Sequence, residues 1–259
     1  MSAPTVLVHR DADLLAQAVA ARLVTRLVDV QSATGLASLV LTGGGIGTAV
    51  LGALAGSPAR DAVDWHAVEI WWGDERFLPR GHPDRNETQA RTALLDSVDL
   101  TPDHVHPMPS SDGPDGGDPE AAAMRYAAEL RAATRPEDHG EVPSFDTLLL
   151  GIGPDGHVAS LFPGMPALYE DRPVVAVRGA PKPPPIRITL TLPAIRTAKE
   201  VWLVAAGAEK APAVRMALGG AGPVQVPAAG VLGRHRTLCL LDRAAAAQLP
   251  TSLARLGSP

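Results

Sequence analysis

The stretch Phe145-Asp-Thr-Leu-Leu-Leu-Gly-Ile-Gly-Pro-Asp-Gly-His157, continuing as Val158-Ala-Ser-Leu-Phe-Pro163, governs how the rest of the chain reads. Phe145 to Leu150 is a short apolar run without polar alternation, closed by turn residues. That is the pattern of a strand buried on both faces of a parallel sheet. A loop with three glycines follows and ends in His157, and histidine is the side-chain type suited to exchanging a proton near neutral pH. Open parallel sheets place ligand sites beyond the carboxyl ends of their strands. His157 is therefore a candidate catalytic group, with Asp155 close enough to orient one ring nitrogen. A histidine at a helix start or in the core is the plainer reading of this residue taken alone.

Upstream, Ala37 to Thr42 reads as a buried strand running into Gly43-Gly-Gly-Ile-Gly47, after which Thr48 to Ala55 reads as a helix stopped by Gly56 and Pro58. Glycines let a backbone approach an anion closely, and a helix N-terminus offers free N–H groups and the positive end of a dipole. Gly43, Gly44 and Gly45 are thus candidates to hold a phosphate. The spacing gives neither a dinucleotide-binding fingerprint nor a P-loop lysine. Tight strand-to-helix packing without a ligand is the alternative.

A third strand, His66 to Trp72, ends in Gly73-Asp-Glu-Arg76, which brings three charges to the same edge of the sheet. Arg76 has the fork geometry to grip two oxygens of a phosphate or carboxylate, and a salt bridge to Asp74 or Glu75 is the alternative. Downstream, Lys182 and Arg187 flank a run of prolines. Lys210 starts a helix after a strand, a position unfavourable for a cation unless an anion sits beside it. His104 and His106 share a strand face, but no third ligand at suitable spacing accompanies them, so no metal site is expected.

The other expected elements are a strand at Thr5 to His9, a helix capped by Asp11 and reaching about Val30, helices at Glu87 to Leu95 and Glu120 to Ala133, and a short strand at His104 to Met108. Further strands are expected at Pro173 to Val177, Ile186 to Thr191, Glu200 to Ala206 and Thr237 to Leu241, with helices from about Glu209 to Leu218 and over Arg243 to Leu249. Strands alternating with helices predict an α/β fold, a doubly wound, mostly parallel sheet with helices on both faces. No internal repeat or clean linker is present, and residues 1–259 read as one domain.

Composition narrows the function further. Hydrophobic residues make up 46% of the chain and aromatics only 3%, so the core must be aliphatic with the four tryptophans as isolated large fillers. A net charge of -5 argues against a general nucleic-acid partner or an anionic membrane surface. The single cysteine, Cys239, excludes an intrachain disulfide, and its apolar neighbours mark it as core filler. Neither a secretory leader nor an apolar run of membrane-spanning length is visible, so a cytoplasmic protein is expected.

Four motifs carry a resemblance: Leu41-Thr-Gly-Gly-Gly45, Trp72-Gly-Asp-Glu-Arg76 with Asp84-Arg-Asn86 behind it, Gly151-Ile-Gly-Pro-Asp-Gly-His157 through Pro163, and Arg187-Ile-Thr-Leu-Thr191. In this order they resemble the 6-phosphogluconolactonases, which share a fold with the glucosamine-6-phosphate deaminases. The resemblance spans nearly the whole chain. It implies hydrolysis of 6-phospho-D-glucono-1,5-lactone in the pentose phosphate pathway by a cytoplasmic, cofactor-independent and metal-free enzyme, expected as a monomer.

By that resemblance His157 is the general base, and Arg76, Lys210 and the glycine loop hold the substrate's phosphate, with Arg187 and Asp74 as further substrate-binding candidates. One departure concerns Gly45, where the family often has serine, and Gly47, where it often has proline; backbone N–H groups must then do more of the binding. Deaminases carry a glutamate five residues after the histidine, where this chain has Phe162, and Asp-Glu-Tyr where this chain has Asp74-Glu75-Arg76. A sugar-phosphate sensor is the alternative from another class. Such regulators carry a DNA-binding helical domain, whereas the first strand here is expected near Thr5.

Overall fold

The computed structural model describes residues 3–138, 140–250, 253, 255 and 256. The first half of the chain forms β1 (Thr5–His9), α1 (Ala12–Thr34), β2 (Ala37–Leu41), α2 (Gly44–Ala55), β3 (Val68–Trp72), β4 (Asp74–Arg76), α3 (Asn86–Ala93) and α4 (Pro119–Ala132). The second half forms β5 (Thr147–Gly151), β6 (Val174–Val177), β7 (Arg187–Leu190), α5 (Leu192–Ile195), β8 (Glu200–Ala205), α6 (Ala211–Leu218), β9 (Arg236–Asp242) and β10 (Arg255–Leu256).

Seven of these strands build one parallel sheet in the order β10-β1-β9-β8-β5-β2-β3. Every residue of β2 is buried, as are four of the five in β5 and five of the six in β8. Successive strand side chains point to opposite faces, so both faces of the sheet are covered. This is the doubly wound α/β architecture that the alternation of elements predicts.

Where the chain reverses its direction of winding fixes where a ligand sits. From β2 the chain moves outward to β3, whereas from β5 it moves the other way, to β8 and then β9. Neighbours β2 and β5 therefore flank the switch point, and a crevice opens beyond their carboxyl ends. The loops that leave these two strands are Thr42 to Gly43 and Ile152 to His157. Gly151 N–H donates to Thr42 Oγ1 at 3.3 Å, tying the two strand ends together.

Local chemistry sets the boundaries of the long helix. Asp11 caps α1 by accepting from Leu14 N–H at 2.9 Å, and Leu15, Val19, Leu23, Leu27 and Val30 repeat at helical spacing on its buried side. Gly35 ends it in the left-handed region at φ 81°. Strand β3 lies at the edge of the sheet, and Tyr126 of α4 seals it: the phenol accepts from Trp72 N–H at 3.0 Å and lies 3.3 Å from the Trp72 carbonyl. Burial pushes that phenol well above its ordinary pKa. Cys239 is fully buried in β9, and burial raises its thiol to about 12, in keeping with a filler role.

Several expectations need correction. Asp74 to Arg76 does not end β3 but forms β4 of a separate antiparallel sheet, ordered β4-β7-β6. Helix α2 begins at Gly44, so the glycines expected in a loop form its first turn. The strand expected at His104 to Met108 reduces to a single bridge between Val105 and Ile70. Arg243 to Leu249 is a run of turns, because the Asp242 carboxylate folds the chain back by accepting from Ala245 N–H at 2.7 Å and from Gly207 N–H at 3.1 Å.

Candidate active site

The glycines at the switch point are there for space. A Cβ on Gly43 would collide with the amide of Asn86, and Gly44 holds φ 83°, which a side chain disfavours. No side chain caps the start of α2, so its first N–H groups remain available to an anion at the mouth of the crevice.

Beyond β5, Gly156 N–H donates to the Gly153 carbonyl at 2.9 Å and Gly153 N–H to the His157 carbonyl at 2.8 Å. This turn folds the His157 ring back over Gly153, where a Cβ would strike the imidazole. In that position His157 Nδ1 lies 2.5 Å from Asp155 Oδ1, and the Phe162 ring packs on its flank with centroids 4.6 Å apart. Burial on its own would raise the Asp155 carboxyl. The hydrogen bond and charge of His157, with Lys182 Nζ at 3.7 Å, outweigh it and hold the carboxyl well below the usual range. An ionised Asp155 can only accept, so Nδ1 carries a proton whether the ring is charged or neutral, and in the neutral imidazole Nε2 keeps a free lone pair.

The small sheet supplies the cations. Strands β4 and β7 pair antiparallel with Arg76 directly opposite Arg187, and like charges placed this way repel unless an anion lies between them. Arg76 donates to the Asp84 carbonyl at 2.5 Å, and its buried Nε has no partner. Among the described residues no carboxylate pairs with its guanidinium, so the salt bridge to Asp74 or Glu75 does not form. The Asp74 carboxylate instead accepts from Ser160 Oγ at 2.6 Å and faces Asn86 Nδ2 at 3.3 Å. Arg187 is largely committed to the proline loop: Nε donates to Pro184 at 3.1 Å, and Nη2 to Lys182 at 3.0 Å and Pro183 at 3.1 Å. Burial lowers its pKa, with Asp74 opposing and Arg76 reinforcing the shift.

These groups converge on one cavity of about 460 Å³. Its walls include Gly43, Gly44, Gly45, Asp74, Arg76, His157, Arg187 and Lys210; Asp155 stands behind His157 rather than in the wall. Lys210 is bound only loosely to its neighbour, with Nζ 3.8 Å from Glu209 Oε1. Sequence reasoning missed Thr42 and Glu209 in the wall, and the Ser160 and Asn86 side chains that brace Asp74. Asn86 and Ser160 stand inside quoted motifs, but nothing in a linear sequence shows that they meet over a carboxylate 12 and 86 residues away.

Among the described residues no group of three or more His, Cys, Asp or Glu could hold a metal ion, and no helix is long and apolar enough to cross a membrane. His106 stacks on Trp71 at 3.8 Å and meets Glu129, while His104 Nδ1 lies 2.8 Å from the His66 carbonyl.

Residues 10–240 match the family described as glucosamine-6-phosphate isomerases/6-phosphogluconolactonase. The chain belongs to this family. Among its members, the 6-phosphogluconolactonase of Streptomyces coelicolor is 64% identical over 251 residues, covering 96% of each chain. That of Mycobacterium tuberculosis is 52% identical over 242 residues, 93% of this chain and 96% of its own. The solved 6-phosphogluconolactonase of Trypanosoma brucei superposes with a TM-score of 0.82 at 31% identity, over 95% of this chain and 99% of that one. These similarities place the chain with the 6-phosphogluconolactonases, as a lactone hydrolase. A monomeric glucosamine-6-phosphate deaminase shares the fold with a TM-score of 0.76 at 22% identity.

Proposed function

We propose that the chain hydrolyses 6-phospho-D-glucono-1,5-lactone to 6-phosphogluconate, in the cytoplasm and as a single subunit, by water that His157 activates. The observation that carries this reading is the Asp155–His157 pair, whose histidine belongs to the same cavity wall as Arg76 and the uncapped start of α2. Nε2 takes a proton from water as its oxygen bonds to the lactone carbonyl carbon. The tetrahedral intermediate then collapses, the bond to the ring oxygen breaks, and the proton on Nε2 passes to that oxygen, which leaves as a hydroxyl. Asp155 supports the transient imidazolium throughout.

The substrate's phosphate is held by Arg76, Lys210 and the N–H groups of Gly43 to Gly45, with Arg187 adding charge. A δ-lactone is already reactive, so positioning by this handle plus one general base, worth about 10²- to 10⁴-fold, suffices without a covalent nucleophile. Backbone N–H groups of the glycine loops are the proposed donors to the oxyanion. A fully buried Phe162 beside His157 leaves no carboxylate there to assist ring opening of an amino sugar, which disfavours the deaminase reaction. Parallel assays with freshly prepared lactone and with glucosamine 6-phosphate test the reading: turnover of the first alone is expected, and turnover of only the second would refute it.

A further inference from the structure

Glu75 lies between Asp74 and Arg76, yet its side chain turns away from the cavity and is wholly buried. Its Oε1 accepts from Arg76 N–H at 2.8 Å and from Asn86 N–H at 2.7 Å, while Oε2 accepts from Glu87 N–H at 2.8 Å and faces Arg85 Nη2 at 3.7 Å. One carboxylate thus joins β4, which carries Asp74 and Arg76, to the first turn of α3, which carries Asn86. The Arg85 side chain extends the junction by donating to the Met108 carbonyl at 2.7 Å, the Leu78 carbonyl at 3.1 Å and Glu87 Oε2 at 3.2 Å. Among the described residues the other direct ties of β4 to α3 run from Asn86 Nδ2, to the Asp74 carbonyl at 2.8 Å and to Asp74 Oδ1 at 3.3 Å.

We infer that Glu75 is a positioning residue for the lactonase reaction: its ionised carboxylate clamps β4 to α3 and so sets the aim of Arg76 into the phosphate-binding side of the cavity. This rests on the assignment of Arg76 to the phosphate. Three N–H donors and a guanidinium converge on two oxygens, an arrangement that only the ionised form satisfies fully. Protonation turns one oxygen into a hydroxyl and frees a backbone donor.

Charged and titratable groups surround Glu75 on each side. Arg85 and Glu87 belong to the α3 junction, Tyr126 comes from α4, Arg187 from β7, and Asp74 and Arg76 from its own strand. Burial drives its pKa up to about 7 against the pull of Arg85 and the three N–H groups. The clamp is therefore complete at pH 8 and weakened at pH 6, and substrate affinity follows it.

The test is Glu75→Gln, with initial rates corrected for spontaneous hydrolysis and with calorimetric binding of 6-phosphogluconate, each from pH 6 to 8. At pH 8 the clamp predicts a rise of about 10-fold in KM and in the product's Kd, with kcat within about 2-fold. It also predicts that the wild-type weakening of affinity toward pH 6 is much reduced in the variant. The phosphate's own titration is common to both proteins and drops out of this comparison. A purely Coulombic role would give the opposite sign, because removing a negative charge beside Arg76 would tighten phosphate binding. Unchanged or tighter affinity in a folded variant overturns the clamp.

Should Glu75→Gln not fold, Glu75→Asp keeps the charge on a shorter arm, and wild-type affinity in that variant would overturn the proposal equally. Arg76→Ala separates the two claims. If it raises KM while Glu75→Gln does not, the clamp fails and the phosphate assignment stands; if it leaves KM unchanged, the phosphate assignment itself fails.

Discussion

At the scale of single residues, His157 and Asp155 are proposed to act as one unit, joined by the contact between Nδ1 and Oδ1. Asp155→Asn leaves a side chain of the same shape but removes the charge that supports the imidazolium, and its amide can hold the wrong tautomer. A fall in kcat of about 10- to 100-fold is expected, smaller than the loss of the base itself, with KM little changed. The same pair has a signature in stability. The Asp155 pKa is depressed in the folded state, so its contribution is present above the ordinary carboxylate range and is lost as pH falls below it. Thermal unfolding should therefore separate wild type from Asp155→Asn at pH 7, and the gap should close in strong acid. Arg76→Ala should raise KM by about 10- to 100-fold, the worth of a charge-assisted hydrogen-bonding fork, with kcat much less affected.

At the scale of elements, the start of α2 is the part most sensitive to small changes. Gly43→Ala forces its Cβ into Asn86, which braces Asp74 and adjoins the Glu75 clamp. A drop in kcat/KM on the order of 10- to 100-fold is expected while the protein stays folded, read by steady-state kinetics beside circular dichroism. The glycines after β2, though not their place in the first turn of α2, the strand before His157 and the cations were legible in the sequence because each rests on local chemistry: glycine φ, apolar runs and charge at strand ends. What was not legible depended on contacts between distant segments. The Ala-rich run after Asp242 has helical propensity, but Asp242 is engaged by Gly207 and Ala245, and turns result. Asp74 to Arg76 reads as the tail of β3, because only its pairing with β7 across more than a hundred residues reveals a second sheet.

At the scale of the whole molecule, the sheet places the switch point between β2 and β5, and the small sheet lays its arginines against it. The edge at β3 has to stay sealed for that geometry to persist. Tyr126→Phe removes the hydroxyl that pairs with Trp72 and the nearby His106 carbonyl, leaving buried backbone groups unsatisfied. A loss of about 1–3 kcal/mol in denaturant unfolding is expected, with kcat/KM unchanged in the folded fraction.

The central claim is that His157 activates water on a phosphate-anchored lactone. Its most direct test is the hydrolysis rate of freshly made 6-phosphogluconolactone, measured against the spontaneous rate for wild type and for folded His157→Ala. Clear acceleration by wild type, reduced by about 10²- to 10⁴-fold in the variant at nearly unchanged KM, is the predicted result. Full turnover retained in His157→Ala would contradict it.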